Sequence, residues 1–366
     1  MTGHIRHFAH PYGPPNMQRS RLTIRDVARQ AGVSHQTVSR VINGDALVTP
    51  ETRARVEAAV AELGYQPNAI ARSLAAGRSK TLACLAPNLT DYTFACIIEG
   101  AEAECRQHGY FLISSSAPDE AAFAALINEL VPSRRIEGLM VINPYIDQRT
   151  QHLPDNIATV FIGGHPRVGH DVAAITLDDY GAARSAVRHL IELGHHRIAM
   201  ITGPLVEDCT QDRITGYRAA LEEAKLKTDP ALIVEGDWSA SSAHKATLEL
   251  MKIKQPPTAI FAQNDRMALG ALRAARDLGL TVPEQLSVIG LDDMPLASYF
   301  DPPLTTMRQD MFAIGRTAAQ LLVQAVEQPQ AKRQQLRQPA ELIIRQSTGK
   351  KSTKGGGSPA GRQTRR

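Results

Sequence analysis

His35, Gln36, Ser39 and Arg40 lie within six positions of one another, and each can hydrogen-bond to a base edge or a phosphate. They share one side of the run Ser34–Asn43, whose other side is Val38, Val41 and Ile42. Arginine can grip guanine through two donors, and glutamine can pair with adenine in the same two-pronged way. No Asp or Glu occurs between Asp26 and Asp45, so the polar side has nothing on it to repel phosphate. A plain surface hairpin of helices has no need to keep acid off its outer face, and the chemistry this pattern supports is the reading of DNA.

The flanking residues predict the elements that would hold that face in place. Thr23 can cap a first helix, with Asp26 where the acid of a capping box sits, and Ile24, Val27 and Ala28 fall on one helical side. Gly32 provides a tight turn, and Ser34 caps the second helix. Thr49-Pro50 opens a third helix with Val56, Ala59, Val60 and Leu63 on its apolar side, and Gly64 ends it. This is a helix-turn-helix, whose second helix enters a major groove. Tyr65-Gln66-Pro67-Asn68-Ala69-Ile70-Ala71-Arg72-Ser73-Leu74 follows, a segment about one helix long and too short to be stable alone in water.

Together, the Val33–Asn43 run and the Tyr65–Leu74 segment resemble the lactose-repressor (LacI/GalR) family of bacterial transcription regulators, from residue 21 to about 348. The resemblance implies a repressor that binds a pseudo-palindromic operator as a homodimer and responds to a small molecule. It places His35, Gln36 and Arg40 on base edges, and Ser34, Thr37, Ser39, Asn43 and Arg53 on phosphates, with Thr23 also at the DNA face. It makes residues 68–80 a hinge helix and linker in which Asn68, Ala71 and Leu74 meet the minor groove, Leu74 wedging between base steps.

Composition fits that class. The 366 residues exceed one typical domain, and 43% hydrophobic with 21% charged residues is ordinary for a globular protein. The net charge of +4 is unevenly spread: residues 21–80 carry nine Lys/Arg against five Asp/Glu, residues 350–366 six basic residues and no acid, and residues 81–349 a net −8. Phosphate would attract the first and last segments and repel the middle. Cys84, Cys96, Cys105 and Cys209 have no metal-ligand spacing and read as reduced thiols. The first ten residues lack the apolar core of a signal peptide, and no stretch reaches membrane-spanning length, so a cytoplasmic location is expected.

From Thr81 the pattern alternates. Strand-like runs occur at Leu82–Ala86, Tyr110–Ser114, Gly138–Ile142, Thr159–Ile162 and Ala174–Leu177. A second set lies at Arg197–Thr202, Leu232–Glu235, Thr258–Ala262 and Ser287–Leu291, with amphipathic helices between most of them. Repeated βα units predict an α/β fold with doubly wound parallel sheets in two lobes, like a periplasmic binding protein. The expected organisation is a disordered extension (1–20), a three-helix DNA-binding domain (21–67), the hinge and linker (68–80), a two-lobed effector-binding and dimerisation domain (81–348), and a disordered basic tail (349–366). By resemblance, the chain crosses between lobes near 178, near 308 and again near 340, before a strand at Glu341–Arg345. The tail has no apolar heptad to form a coiled coil, and family members commonly begin near Met17.

Ligands of doubly wound sheets bind at the carboxyl ends of strands. Asn88, Asp91, Phe94, Arg213, Trp238, Asn264 and Asp292 sit at such ends and match the family's effector-site positions. An indole can stack on the apolar face of a pyranose, while Asp, Asn and Arg take its hydroxyls, so a sugar or sugar derivative is the expected effector. The purine-binding branch of the family carries a cationic and a hydroxyl contact where this chain has Glu207, Asp208 and Cys209, which argues against a purine; the same acids argue against a sugar phosphate.

His195-His196 reads as a helix-to-strand turn with no third metal ligand, and Gly163-Gly164-His165-Pro166 as a turn rather than a phosphate loop. Asp178-Asp179 and Asp292-Asp293 are adjacent pairs whose members point apart. No catalytic set, metal site or cofactor site is expected. The competing readings are a cytoplasmic sugar-binding protein, or an α/β sugar or nucleoside enzyme, neither with a DNA role.

Overall fold

The structure is a computed structural model that describes residues 22–42, 44–45, 47–66, 78–144, 149–163 and 173–351. The chain divides into two compact units, Met1–Arg78 and Ser79–Arg366.

The first unit holds α1 (Ile24–Ala31), α2 (His35–Ile42) and α3 (Pro50–Leu63). The Asp26 carboxylate accepts from both the backbone N–H and the hydroxyl of Thr23, at 2.9 and 2.7 Å, which fixes the start of α1. Gly32 ends α1 at φ 64°, a conformation that is costly for residues with a Cβ, and this turns the chain sharply into α2. Ser34 Oγ accepts from the Thr37 N–H at 3.1 Å as the cap of α2. Val27, Val38 and Val56, one from each helix, are fully buried together.

The second unit contains two six-stranded sheets. The first is built from β1 (Thr81–Ala86), β2 (Phe111–Ser116), β3 (Gly138–Asn143), β4 (Ala158–Gly163), β5 (Ala173–Leu177) and β11 (Gln335–Gln338), in the order β11-β5-β4-β3-β1-β2, and every pairing is parallel. The second contains β6 (Ile198–Thr202), β7 (Ile233–Glu235), β8 (Ala259–Ala262), β9 (Ser287–Asp292), β10 (Thr305–Arg308) and β12 (Glu341–Ile343), in the order β12-β10-β9-β8-β6-β7. Only β12 runs antiparallel, against β10.

Helices cover both faces, as parallel sheets require. α4 (Tyr92–Gln107) and α10 (Met311–Glu327) cover one face of the first sheet, and α5 (Glu120–Leu130) the other. α6 (Asp179–Glu192) and α7 (Asp208–Glu223) cover one face of the second sheet, and α8 (Ala240–Leu250) and α9 (Asp265–Asp277) the other. The chain passes from sheet to sheet after β5, after β10, and between β11 and β12.

Two strands lie outside the sequence expectation. β10 reads Thr-Thr-Met-Arg and β11 Gln-Leu-Arg-Gln, so neither has the apolar run that marks a strand. β10 buries its threonines because Thr306 Oγ1 donates to Asp265 at 2.6 Å and Thr305 Oγ1 bonds Thr348 Oγ1 at 3.0 Å. β11 is a mostly exposed edge strand held by its ladder with β5.

The expected tail also begins too early. The Gly349 N–H donates to Ser287 Oγ at 3.1 Å, its carbonyl accepts from His195 Nε2 at 3.0 Å, and the Lys351 N–H donates to the Leu193 carbonyl at 2.9 Å. Residues 349–351 are therefore docked on the second sheet. At the other end, the Lys80 N–H donates to Glu137 at 2.7 Å, which anchors the last expected linker residue to the start of the first sheet. Among the described residues no helix is long and apolar enough to cross a membrane, and no group of three or more His, Cys, Asp or Glu could hold a metal ion.

Candidate nucleic-acid interface and candidate effector cavity

In the first unit, His35, Gln36 and Arg40 on α2 are exposed, while Val38 and Val41 are buried on its opposite side. The polar face is thus free for a partner. Arg40 Nε stands 3.8 Å from Asp45, its guanidinium largely in solvent. Ser34 and Thr37 share a hydrogen bond of 2.9 Å, and Ser39 is half-buried beside them. Arg53 commits one donor to the Asp45 carbonyl at 2.7 Å, which ties α3 to the chain leaving α2. Asn43, Asn68, Ala71 and Leu74, together with the rest of the expected hinge through residue 77 and the N-terminal extension, lie outside the described residues.

In the second unit, the carboxyl ends of both parallel sheets border one cavity of roughly 1080 Å³, its open mouth included. All seven residues expected at the effector site line it: Asn88, Asp91 and Phe94 from the first lobe, and Arg213, Trp238, Asn264 and Asp292 from the second. Several are also structural. Asn88 Oδ1 accepts from the N–H groups of Thr90 and Asp91, and Asp91 caps α4 through the Thr93 N–H at 2.9 Å. Asn264 Oδ1 caps α9 through the Met267 N–H at 2.7 Å, and its amide donates to the Trp238 carbonyl at 3.2 Å.

Trp238 is held on several sides. Its backbone is at φ 66°, a conformation that costs a non-glycine residue on the order of 1 kcal/mol or more, so neighbouring contacts must hold it there. The indole N–H donates to Glu207 Oε1 at 3.0 Å. Gly203 lies flat against the benzo ring, where an added Cβ would come within 2.0–2.3 Å of three of its carbons. The Arg213 guanidinium stands 5.6 Å from the ring centroid. Trp238 also touches the core beneath α8 and α9, so it is at once a core residue and a cavity wall.

Arg213 is buried, and Nε donates to Asp179 at 2.7 Å while Nη1 donates to the Gln263 carbonyl at 2.6 Å. Burial works against its charge, but the carboxylates of Asp179 and Asp292 outweigh that and keep it protonated. Asp292 differs from its neighbours, because its carboxylate has no hydrogen-bond or ion-pair partner among the described residues. Burial pushes its pKa well above the usual carboxylate range; the nearby Asp265 carboxylate adds to this, and Arg213 opposes it. Burial likewise raises Glu207, against the pull of the indole N–H and Arg213. The adjacent acids do diverge: Asp178 caps α6 through the Gly181 N–H at 3.1 Å while Asp179 turns to Arg213, and Asp292 lines the cavity while Asp293 turns to Arg308.

Both units match known protein families. Residues 23–68 match the bacterial regulatory proteins of the lacI family, and residues 187–348 match the periplasmic binding protein-like domain. The HTH-type transcriptional repressor PurR of Aliivibrio salmonicida (strain LFI1238) is 35% identical over 331 residues, covering 90% of this chain and 99% of that protein. The lac repressor dimer bound to operator and the anti-inducer ONPF superposes with a TM-score of 0.83 at 33% identity, over 90% of this chain and 99% of that one. The transcriptional regulator CelR in complex with cellobiose superposes with a TM-score of 0.69 at 31% identity, over 89% of this chain and all of that one. This chain belongs to the lacI family. It is a DNA-binding transcriptional repressor and not an enzyme.

In this lacI-family repressor, sequence reasoning passed over the partners of the cavity residues. Asp179 pairs with Arg213 across 34 positions. Arg266 Nη2 reaches Asp91 Oδ2 at 2.5 Å across 175 positions, a bridge between the two lobes beside the cavity. Glu207, an acid that argues against a purine and a sugar phosphate, is the partner of the indole. The signal for Asp179 and Arg266 was their place: Asp179 stands beside Asp178 at the first expected crossing, and Arg266 lies two residues after Asn264, itself expected at the effector site.

Proposed function

We propose that this repressor binds a pseudo-palindromic operator as a homodimer and that a neutral polyhydroxylated ligand, a sugar or sugar derivative, controls that binding from the cavity between the lobes. The observation that carries the ligand class is the unpartnered Asp292 carboxylate, set in an acid-lined cavity beside Trp238 and Arg213. A half-buried acceptor without a partner among the described residues favours a ligand rich in donors, and sugar hydroxyls supply them. The acids Asp91, Asp179, Glu207 and Asp292 disfavour a phosphorylated ligand. The cellobiose held by CelR supports the same class. Release from the operator on ligand binding, as an inducer acts, is the direction we assign.

For the DNA side, His35, Gln36 and Arg40 read bases, while Ser34, Thr37, Ser39, Asn43 and Arg53 hold phosphates, with Thr23 beside them. Asn68, Ala71 and Leu74 act at the minor groove. Exposed apolar side chains, Phe111 and Ile113 on β2 and Leu296 and Tyr299 after β9, support a dimer formed through both lobes.

A thermal-shift screen of sugars, sugar acids, sugar phosphates, nucleosides and purines tests the ligand class. Stabilisation by neutral sugars, lost in Trp238→Ala, is expected; stabilisation by a purine alone, unaffected by that substitution, would overturn it. Sedimentation showing only monomer or only tetramer would contradict the dimer.

A further inference from the structure

The end of β9 carries two consecutive non-glycine residues in the left-handed region, Asp292 at φ 120° and Asp293 at φ 56°. One of them lines the cavity. The other is almost fully enclosed, and each of its carboxylate oxygens takes a different arginine: Arg308 Nε donates to Oδ2 at 2.7 Å, and Arg345 Nη2 donates to Oδ1 at 2.6 Å. Arg308 is the last residue of β10, where the chain leaves the second lobe for the first. Arg345 lies two residues beyond β12, the strand that receives the chain on its final return. Arg308 also approaches Glu341, the first residue of β12, at 3.7 Å, and Arg345 Nη1 donates to the Leu304 carbonyl at 2.7 Å just before β10. One carboxylate therefore fastens the cavity end of β9 to two of the three inter-lobe crossings.

A second observation comes from the crossing itself. Gln309, the residue after Arg308, is buried, and neither its side-chain amide oxygen nor its amide nitrogen has a partner among the described residues. Buried amides are normally paired, so an unpaired one at a crossing marks a segment held in place by something other than its own hydrogen bonds. The Gln309 carbonyl accepts from the Met311 N–H at 3.0 Å, and the adjacent Arg308 adds its ion contacts to Asp293 and Glu341 as a restraint on this segment.

We infer that Asp293 is a positioning residue for the effector site: it holds the strained Asp292–Asp293 turn and the two crossings as one piece, so that the lobe spacing and the shape of the cavity change together. The inference rests on reading the cavity as the effector site. Strained backbone at a ligand-facing position persists only where surrounding contacts over-determine it, and here those contacts are the two arginines. Without them the turn relaxes, Asp292 leaves its place in the wall, and the lobes lose a fixed separation.

Trp238 is the only tryptophan in the chain and lines the same cavity, so its fluorescence reports cavity access without any effector. The experiment compares acrylamide quenching and emission maximum of the folded full-length protein with those of Asp293→Asn, Arg308→Gln and Arg345→Gln, with Arg184→Ala as control. Arg184 pairs with Glu223 away from this cluster. Circular dichroism and thermal melting show whether each variant is folded at the working temperature. The three cluster variants are expected to raise the quenching constant about 1.5- to 3-fold and shift the emission to the red, with the control unchanged. Wild-type quenching in the folded cluster variants would overturn the inference, as would an equal rise in the control. The single-arginine variants keep the test open if Asp293→Asn does not fold. The assay uses no effector, so its failure is distinct from failure of the ligand class, which the thermal-shift screen reads.

Discussion

The indole of Trp238 is fastened to Glu207 by a 3.0 Å hydrogen bond, and its benzo face rests on Gly203. A residue expected to stack on a ligand thus has its orientation fixed before any ligand arrives, which lowers the ordering cost of binding. Gly203→Ala places a methyl 2.0 Å from an indole carbon and must turn the ring away. We expect Gly203→Ala to remain folded, to shift Trp238 emission, and to weaken binding of the stabilising sugar at least tenfold. An unchanged emission spectrum would show that the ring has room to spare.

Asp179 and Arg213 form a buried pair, with side chains 10% and 6% exposed. Removing one partner from such a pair leaves a charge without its counterpart in a poorly solvated place, a loss of about 3–5 kcal/mol. Asp179→Ala should therefore lose stability on that scale in urea unfolding, more than Arg184→Ala, whose partner is exposed. Losses within 1 kcal/mol of each other would mean that water reaches Arg213 once its partner is gone.

These contacts mark where the sequence stopped being informative. The helix-turn-helix was legible because capping, periodicity and turn signals all act within a few residues, and the structure shows Thr23, Gly32, Ser34 and Gly64 in those local roles. Apolar strands such as β3 and β8 were legible because burial on both faces leaves a continuous hydrophobic run. β11 was not, since Gln-Leu-Arg-Gln is a strand only through its register with β5. The strand-end rule and the family resemblance together led to seven of the residues that line the cavity, but their partners are set by the packing of elements far apart in sequence. No local pattern ties Asp91 to Arg266, or Asp293 to Arg345.

Arg40 faces solvent with Asp45 at 3.8 Å, a contact worth little in water and easily exchanged for a guanine edge. Arg40→Ala should cost about 1–3 kcal/mol on the preferred operator and relax preference at one base pair, read by mobility shift on a set of single-base operator variants. Equal weakening on every sequence would reduce Arg40 to a phosphate contact.

His189 and His195 give the fold a pH dependence with a definite sign. Burial holds both below the ordinary value of 6.5. As neutral rings they fasten the end of the described chain: His189 Nε2 lies 3.0 Å from Thr348 Oγ1, and His195 Nε2 donates to the Gly349 carbonyl. Because the unfolded chain takes up these protons more readily, stability rises with pH across the window between the folded and unfolded values. The contribution is complete above pH 6.5 and is lost as pH falls below it, by at most about 1.4 kcal/mol per histidine at one pH unit below. Asp265 runs the other way, since burial pushes it up to about 7 and its ionisation costs stability as pH rises toward neutrality. The two trends separate by substitution. His195→Gln can keep a donor for the Gly349 carbonyl but cannot titrate, so its unfolding free energy should fall less than that of the wild type between pH 7.5 and 5.5. The protection of the Gly349 and Lys351 amides, taken relative to the intrinsic exchange rate at each pH, should fall at pH 5.5 in the wild type and not in the variant. Identical pH slopes in the two proteins would mean that His195 keeps its ordinary pKa in the fold.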